Sequence, residues 1–403
     1  MRPWIWTRRS FGAAAAPGFA ALIVVNVAAR GTVWKHEWLW AFYQYHFVTV
    51  LLGPIAAGAA AWAGRQWSVT APMVALGRRG VLGPAAPWIS FYGWVVACYL
   101  AGLAGVCLVV VAAGTPGAPD LAAWRTLAPP LGLLAVVTLA GYVTGYLTRR
   151  RMAAPVVAVA TFGVLLLLYV AGPGNYVTVG GASSSLVGIT PKPRLELAQC
   201  VLYAALCCGL AMAVAAAGRR LRVPGRVLVA EVVVAVVAAV AVAGITAQGG
   251  NVFRDEDTPV TCAGSAPQVC VASGYTADLP RLRATLAPVV GVLAAAGATP
   301  PATFNQRADG THAGVAQLDV IALLAHPGAL AQSVVLSGYL DPSCDLVSRQ
   351  GNVDAFTQLD AYLTFRLTGT APDDLPARIR TAPPGERDAW VRRLTTTLRQ
   401  CHS

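Results

Sequence analysis

The chain has 403 residues, of which 56% are hydrophobic and only 12% charged, with a formal net charge of +12. In a soluble protein that basicity would point to nucleic acid, but the charge is unevenly placed. Residues before 247 carry 18 bases and 4 acids, and the remainder 12 and 14. The excess cations therefore follow membrane topology and are expected to face anionic lipid headgroups; no nucleic-acid partner is expected.

Seven apolar runs are each long enough to cross a bilayer: Phe11–Ala29, Ala41–Gly64, Ile89–Gly114, Leu131–Thr148, Ala153–Gly172, Val201–Gly218 and Val227–Ile245. A helix rising about 1.5 Å per residue needs roughly 20 apolar residues to span the hydrocarbon. The expected fold is an all-α polytopic bundle of seven transmembrane helices over residues 1–246. A linker at 247–257 leads to a helix-rich α+β domain at 258–403.

Basic residues alternate in density between the connecting loops. One set holds Arg2, Arg8 and Arg9; Arg65, Arg78 and Arg79; Arg149 to Arg151; and Arg219, Arg220, Arg222 and Arg226. The intervening set holds only Arg30, Lys35, Arg125, Lys192 and Arg194. Cationic loops resist translocation, so the N-terminus is expected in the cytoplasm and the C-terminal domain outside a cell membrane crossed many times. Thr7-Arg8-Arg9-Ser10-Phe11 also resembles a twin-arginine export signal, but six further runs favour reading Phe11–Ala29 as the first span.

The first outer loop is aromatic, with Trp34, Trp38, Trp40 and Tyr43 expected to anchor at the headgroups. The segment Arg65–Trp88 is the longest inner loop, and Ala71–Leu76 within it is expected to form a short amphipathic turn of helix. The third outer loop, Pro173–Gln199, is rich in Gly and Pro; its apolar residues, including Leu186, Val187 and Ile189, suggest that it folds back on the bundle. Polar candidates inside spans are Asn26, Gln44, His46 and Glu231. Structural roles are expected for them, Glu231 pairing with Arg226 or snorkelling to the interface. Small residues, as in residues 53–64 and 101–105, favour close helix packing or a homodimer.

These features resemble the membrane subunit of type-2 ABC exporters, which has six spans, a cytoplasmic coupling helix between the second and third, and a partly re-entrant outer segment between the fifth and sixth. Counterparts here are the first six runs, Arg65–Trp88 and Pro173–Gln199. The segment GPIAAGAAAWAGRQWSVTAPMVALGRRG also resembles actinobacterial permease-like proteins with an extracytoplasmic tail. The resemblance covers about 220 residues. The acid usual early in the coupling loop is replaced by Arg65-Gln66, and a seventh span and an outer domain are added. It implies a permease-like subunit acting with a separate ABC ATPase, docked through Trp67, Met73, Val74, Leu76, Arg78 and Arg79. The alternative is a non-transporting membrane sensor or scaffold. No GxxxxGK[ST] loop is present, so an ATP site would belong to another polypeptide.

Among nine cysteines, Cys98, Cys107, Cys200, Cys207 and Cys208 read as packing residues in or beside spans. Cys262, Cys270, Cys344 and Cys401 lie in the tail and are expected to form two disulfides in an oxidising compartment. Three pairings are possible, with Cys262–Cys270 and Cys344–Cys401 favoured; a four-cysteine zinc site is the rival. Asp278, followed by Pro280, is expected to cap a tail helix with Leu279, Leu282, Leu286, Val289, Val290, Val292 and Leu293 at helical spacing. Val260–Cys262 and Val269–Ala272 read as a short hairpin about the Cys262–Cys270 loop, and Val315–Leu324 as strand or helix. His312, His326, Asp319, Asp341, Ser343 and Asp345 supply an inventory for catalysis. No GxSxG or HExxH spacing organises them, so no enzyme activity, cofactor or metal is expected.

Overall fold

The structure is a computed structural model that describes residues 11–31, 33–74, 86–170, 185–219, 225–249, 252–307, 314–340 and 350–400. The chain divides into two compact units. One comprises Met1–Ser183 and Pro191–Arg254, the other Ser184–Thr190 and Asp255–Ser403.

The first unit is helical: α1 (Phe11–Ala29), α2 (Trp38–His46), α3 (Thr49–Val74), α4 (Ala86–Ala112), α5 (Leu121–Arg125), α6 (Ala128–Thr148), α7 (Ala153–Val170), α8 (Pro193–Arg219) and α9 (Gly225–Thr246). Among the described residues five stretches are long and apolar enough to cross a membrane: Phe11–Ala29, Trp38–Val69, Ala86–Ala112, Leu121–Thr148 and Pro193–Val214. Two shorter apolar stretches, Ala153–Leu168 and Ala230–Thr246, lie in α7 and α9. Val156, Val159 and Leu167 on α7, and Val232, Val236 and Val240 on α9, face outward. A polytopic protein exposes such residues to lipid tails.

The expected span Ala41–Gly64 is broken near its start, and the expected span Leu131–Thr148, continuous within α6, is preceded by the short helix α5. Residues 47–48 turn between α2 and α3, where Thr49 Oγ1 donates to His46 O at 2.7 Å. Before α6, Asp120 caps α5 by accepting from the Ala123 N–H at 2.8 Å. Pro129 and Pro130 then occupy the first turn of α6, where a missing N–H leaves no bond unmade. Helix α8 begins at Pro193, eight residues before the expected start at Val201. Pro193 fixes φ for the first turn, and Glu196 places a negative charge near the positive end of the helix dipole.

The tail unit contains α10 (Leu279–Ala295), α11 (Val320–Ala325), α12 (Pro327–Ser337), α13 (Gln350–Thr368), α14 (Ala377–Thr381) and α15 (Pro384–Arg399). Strands β1 (Ile189–Pro191) and β2 (Phe253–Asp255) pair where the chain passes from one unit to the other. A four-stranded sheet follows the order β3 (Val260–Ala263), β4 (Gln268–Ala272), β5 (Thr303–Asn305), β6 (Val315–Gln317). β3 and β4 form the expected hairpin in antiparallel register. β5 and β6 add parallel strands, aligning Val269 with Phe304 and Phe304 with Ala316. The ambiguous stretch at 315–324 divides into strand β6 and helix α11.

Helix α10 buries Leu279, Leu282, Leu286, Val289, Val290 and Leu293. They join Val271, Phe304, Leu359 and Trp390 in one core. Asp278 stands before α10 but makes no side-chain capping bond: its backbone is already helical, because Ser273–Asp278 form a 3-10 turn that runs straight into the helix. Gly297, with φ +72°, ends the helix, and Arg392 of α15 donates to the Ala296 carbonyl at 3.2 Å. A left-handed glycine and a cationic donor are the usual means of satisfying terminal carbonyls.

Candidate functional site

The break between α2 and α3 places His46 in the protein interior, 1% exposed. Its Nδ1 lies 2.7 Å from the Tyr99 hydroxyl of α4 and its Nε2 lies 2.8 Å from Thr126 Oγ1. Thr126 Oγ1 donates its one hydrogen to Ala123 O at 2.6 Å. The hydroxyl is therefore an acceptor toward His46, which fixes the Nε2–H tautomer and makes Tyr99 the donor to Nδ1. Tyr45 OH completes the cluster by donating to the Tyr99 backbone carbonyl. Both imidazole nitrogens are satisfied, so His46 locks α2, α4 and the end of α5 together.

The aromatic residues expected to anchor at the interface mostly pack inward. Trp34, Trp40, Phe42, Tyr43 and Tyr45 are all less than 5% exposed. The α2 helix lies against α4, with Tyr45 and Tyr99 rings 4.9 Å apart and Phe42 and Trp124 rings 5.2 Å apart. Trp124 and Leu121 of α5 are exposed instead. Gln44 accepts from Arg30 Nη1 at 2.7 Å, and the Arg30 guanidinium lies 3.7 Å from the Phe47 ring centre. Asn26 is buried on α1, and Glu231 is exposed on α9. The Arg226 side chain, its expected partner, lies outside the described residues.

Nearby, Arg125 and Glu196 form an ion pair through Nε and Oε2. Arg125 Nη2 also donates to Pro191 O at 3.1 Å. Glu196 is largely buried, with its side chain 7% exposed. The pair ties the end of α5 to the first turn of α8. Lys192 Nζ donates to Gln248 O at 3.1 Å, linking the start of α8 to the end of α9.

The segment proposed for ATPase docking differs from its expected form. Helix α3 does not stop at Gly64 but continues to Val74, so Trp67, Met73 and Val74 belong to it rather than to a separate short helix. Residues 65–71 contain neither glycine nor proline to end it, and Ser68 Oγ donates to Arg65 O at 2.7 Å. Arg65 Nε donates to Arg149 O at 3.1 Å, placing a cation on the carbonyl end of α6. Leu76, Arg78 and Arg79 lie outside the described residues.

The small-residue stretch 53–64 and Gly102 pack within the chain. Residues 53–64 of α3 pack on Gly141 and Gly145 of α6 and on Ala154 of α7, while Gly102 of α4 meets Ile23 and Tyr45. That close packing accounts for the small residues at these positions.

In the tail, Cys262 and Cys270 form a disulfide across β3 and β4. Cys344 and Cys401 lie outside the described residues, whereas the cysteines at 98, 107, 200, 207 and 208 are free. Asp319 caps α11 by accepting from Ala322 N at 3.0 Å, and His326 sits between α11 and α12. His312, Asp341, Ser343 and Asp345 lie outside the described residues. Among the described residues no group of three His, Cys, Asp or Glu is arranged to hold a metal. A solvent-open groove of about 520 Å³ between the β3–β4 turn and α10 is lined in part by Val269, Arg283, Leu286 and Val290. The extent of burial at the α2–α5 corner was not legible in the sequence, although His46 between aromatic runs was its one signal. No model of a known family, no curated protein and no solved structure matches this chain.

Proposed function

We propose that the chain is a permease-like transmembrane subunit of an ABC-type export system, acting with a separate ATPase on a substrate the sequence does not name. The observation that carries this reading is the extension of α3. The apolar stretch ends at Val69 while the helix runs on to Val74, and a basic segment follows. A helix prolonged beyond its apolar stretch gives a partner ATPase a segment to hold, and the sequence there supplies the proposed docking residues Trp67, Met73, Val74, Leu76, Arg78 and Arg79. Helices α7 and α9, 18 and 22 residues long, bring the proposed spans to seven, with the N-terminus inside and the tail outside. Outward valines on both helices and the alternation of basic loops support that topology. Alkaline phosphatase fused after Ser403 should be active and after Arg151 inactive; the reverse pattern overturns the orientation.

A second reading, a membrane sensor or scaffold, is favoured by one feature of the tail unit: it incorporates Ser184–Thr190, the chain leading into α8. An outer domain built around an inter-helix segment can report its own state to the helices without transport. Co-purification from native membranes separates the readings. An ABC ATPase retained by the wild type and lost on Met73→Asp/Leu76→Asp supports the permease. Wild-type retention by the doubly changed protein removes the docking assignment and favours the sensor.

A further inference from the structure

The segment Ser185–Thr190 is seated in the tail unit by a small set of contacts. Val187 is 6% exposed and belongs to the tail core. Gly188 holds φ at +87°, a conformation that favours glycine. Its N–H donates to Thr258 Oγ1 at 3.2 Å and its carbonyl accepts from Glu256 N at 2.9 Å. Ser185 Oγ accepts from Gln306 Nε2 at 3.4 Å.

Gln306 connects this segment to β4. It is 3% exposed. Its backbone N–H donates to Cys270 O at 3.0 Å, and its Oε1 accepts from Ala272 N at 2.9 Å. Both partners belong to β4, so the amide can reach Ser185 only while β4 keeps its place. On the other side of β4, Cys270 is paired directly opposite Cys262 and bonded to it. β3 is a terminal strand of four residues, and Cys262 on it is exposed. A disulfide partner at a sheet edge is open to thiol exchange.

We infer that Ser185–Thr190 is a redox-responsive strap, seated while Cys262 and Cys270 are joined and released when a dithiol reduces them. One thiolate of the reductant attacks the Cys262 sulfur and expels Cys270 as thiolate. The second thiol of the reductant then attacks the mixed disulfide and frees Cys262. Two electrons and two protons pass to the cysteine pair, and the reductant leaves as its own disulfide. With the covalent link gone, β3 is held to β4 by its short ladder alone, and the β4 edge that positions Gln306 loosens. The strap contributes Val187 to the tail core, with Leu186 and Thr190 also buried, whereas α10 alone buries six side chains, so the strap gives way before the rest of the domain. The strap leads directly into α8, so its release carries the redox state of the tail to the chain entering that helix.

The test is hydrogen–deuterium exchange on the full chain in lipid nanodiscs, oxidised and after treatment with dithiothreitol. Reduction should speed exchange of the Gly188 and Glu256 amides at least tenfold, leaving Leu286 and Val290 of α10 unchanged. Cys262→Ser should show fast strap exchange without reductant and no further response to it. Gln306→Ala should free the strap in the oxidised protein, again with α10 unchanged. Strap exchange that ignores reduction overturns the inference, as does acceleration of strap and α10 together, which would mean general loosening. Should Cys262→Ser fail to fold, the wild-type reduction still decides the question.

Discussion

A Cβ built on Gly145 of α6 would lie 1.8 Å from the carbonyl oxygen of Ala61 on α3. Gly141, one turn earlier, would meet the Ala57 carbonyl at 2.2 Å, and Gly64 would meet that of Tyr142 at 2.2 Å. The two helices therefore touch backbone to backbone along a GxxxG face at 141–145, the small-residue packing used where lipid supplies no hydrophobic drive between helices. Gly145→Val must push the helices apart. It should destabilise the bundle by roughly 1–3 kcal/mol or more, as overpacking does, and lower its unfolding temperature in detergent. Gly105→Ala, where nothing lies within 4 Å, is the control and should leave that temperature nearly unchanged.

The Arg125–Glu196 pair makes a second mechanical prediction. Glu196 is buried, while Arg125 keeps 29% of its side chain exposed. Arg125→Met strands a buried carboxylate and should cost about 3 kcal/mol, the low end for breaking a buried pair, because water reaches one partner. Adding Glu196→Leu removes the stranded charge and should restore most of the loss. A double variant as unstable as Arg125→Met would show that the pair's geometry, rather than its charge balance, holds α5 to α8. Thermal unfolding of the three proteins in one detergent makes the comparison.

Much of the architecture was legible because it depends on local chemistry. Apolar runs of bilayer length gave the long helices, and the spacing of Leu282, Leu286, Val289 and Leu293 gave the buried face of α10. Cysteines flanking a short turn gave the β3–β4 hairpin. Strand β5 was not legible, and β6 only as half of an ambiguous stretch, because three-residue strands carry too few residues for a period of two to register. Val187 was read as folding back on the bundle; its apolarity was visible, but which core receives it depends on contacts more than a hundred residues away, at Gln306. The aromatic residues of α2 were read as an interfacial belt for a similar reason: Trp40 and Tyr43 suit either a headgroup layer or a core, and only the break after His46 turns them inward. Asp278 had the residue type of a cap, but the 3-10 turn before it left no extended residue to act as one.

Asp360 on α13 makes the tail unit sensitive to acid in a particular direction. Burial holds its carboxyl above the usual carboxylate range. Gln332, with its amide nitrogen turned toward α13, donates to Asp360 Oδ1 at 2.9 Å. A folded-state pKa above the unfolded value of about 3.9 means that the folded form binds more protons in the interval between them. This group's stabilising contribution is then fully present below the unfolded value and is lost as pH rises through the folded one. Asp360→Asn should remove that contribution to the pH slope and raise the stability of the tail at neutral pH relative to the wild type. Chemical unfolding of both proteins from pH 3 to pH 7, followed by Trp390 fluorescence against other-tryptophan controls, measures the difference. A steeper fall with rising pH in the variant would reverse the assignment.

The contact between Tyr339 and Arg399 bears on the second disulfide. The Arg399 guanidinium lies 5.1 Å from the Tyr339 ring centre, and its Nη2 donates to Thr299 O at 2.7 Å. The end of α15 is therefore held beside the end of α12. Cys401 follows Arg399 by two residues and Cys344 follows Tyr339 by five, and an extended residue reaches about 3.3–3.6 Å. These short separations from two residues that lie together motivate pairing Cys344 with Cys401. Cys262 is already joined to Cys270, which makes Cys344 and Cys401 the expected second pair. A non-reducing mass map of membrane-purified protein should yield a Cys344–Cys401 peptide. Cys401→Ser should then expose one reactive thiol, at Cys344, and destabilise the tail by roughly 2–5 kcal/mol, the range for removing a native bridge. Alkylation of both cysteines in unreduced wild-type protein would show that the end of α15 is held by Arg399 alone, without a covalent tie.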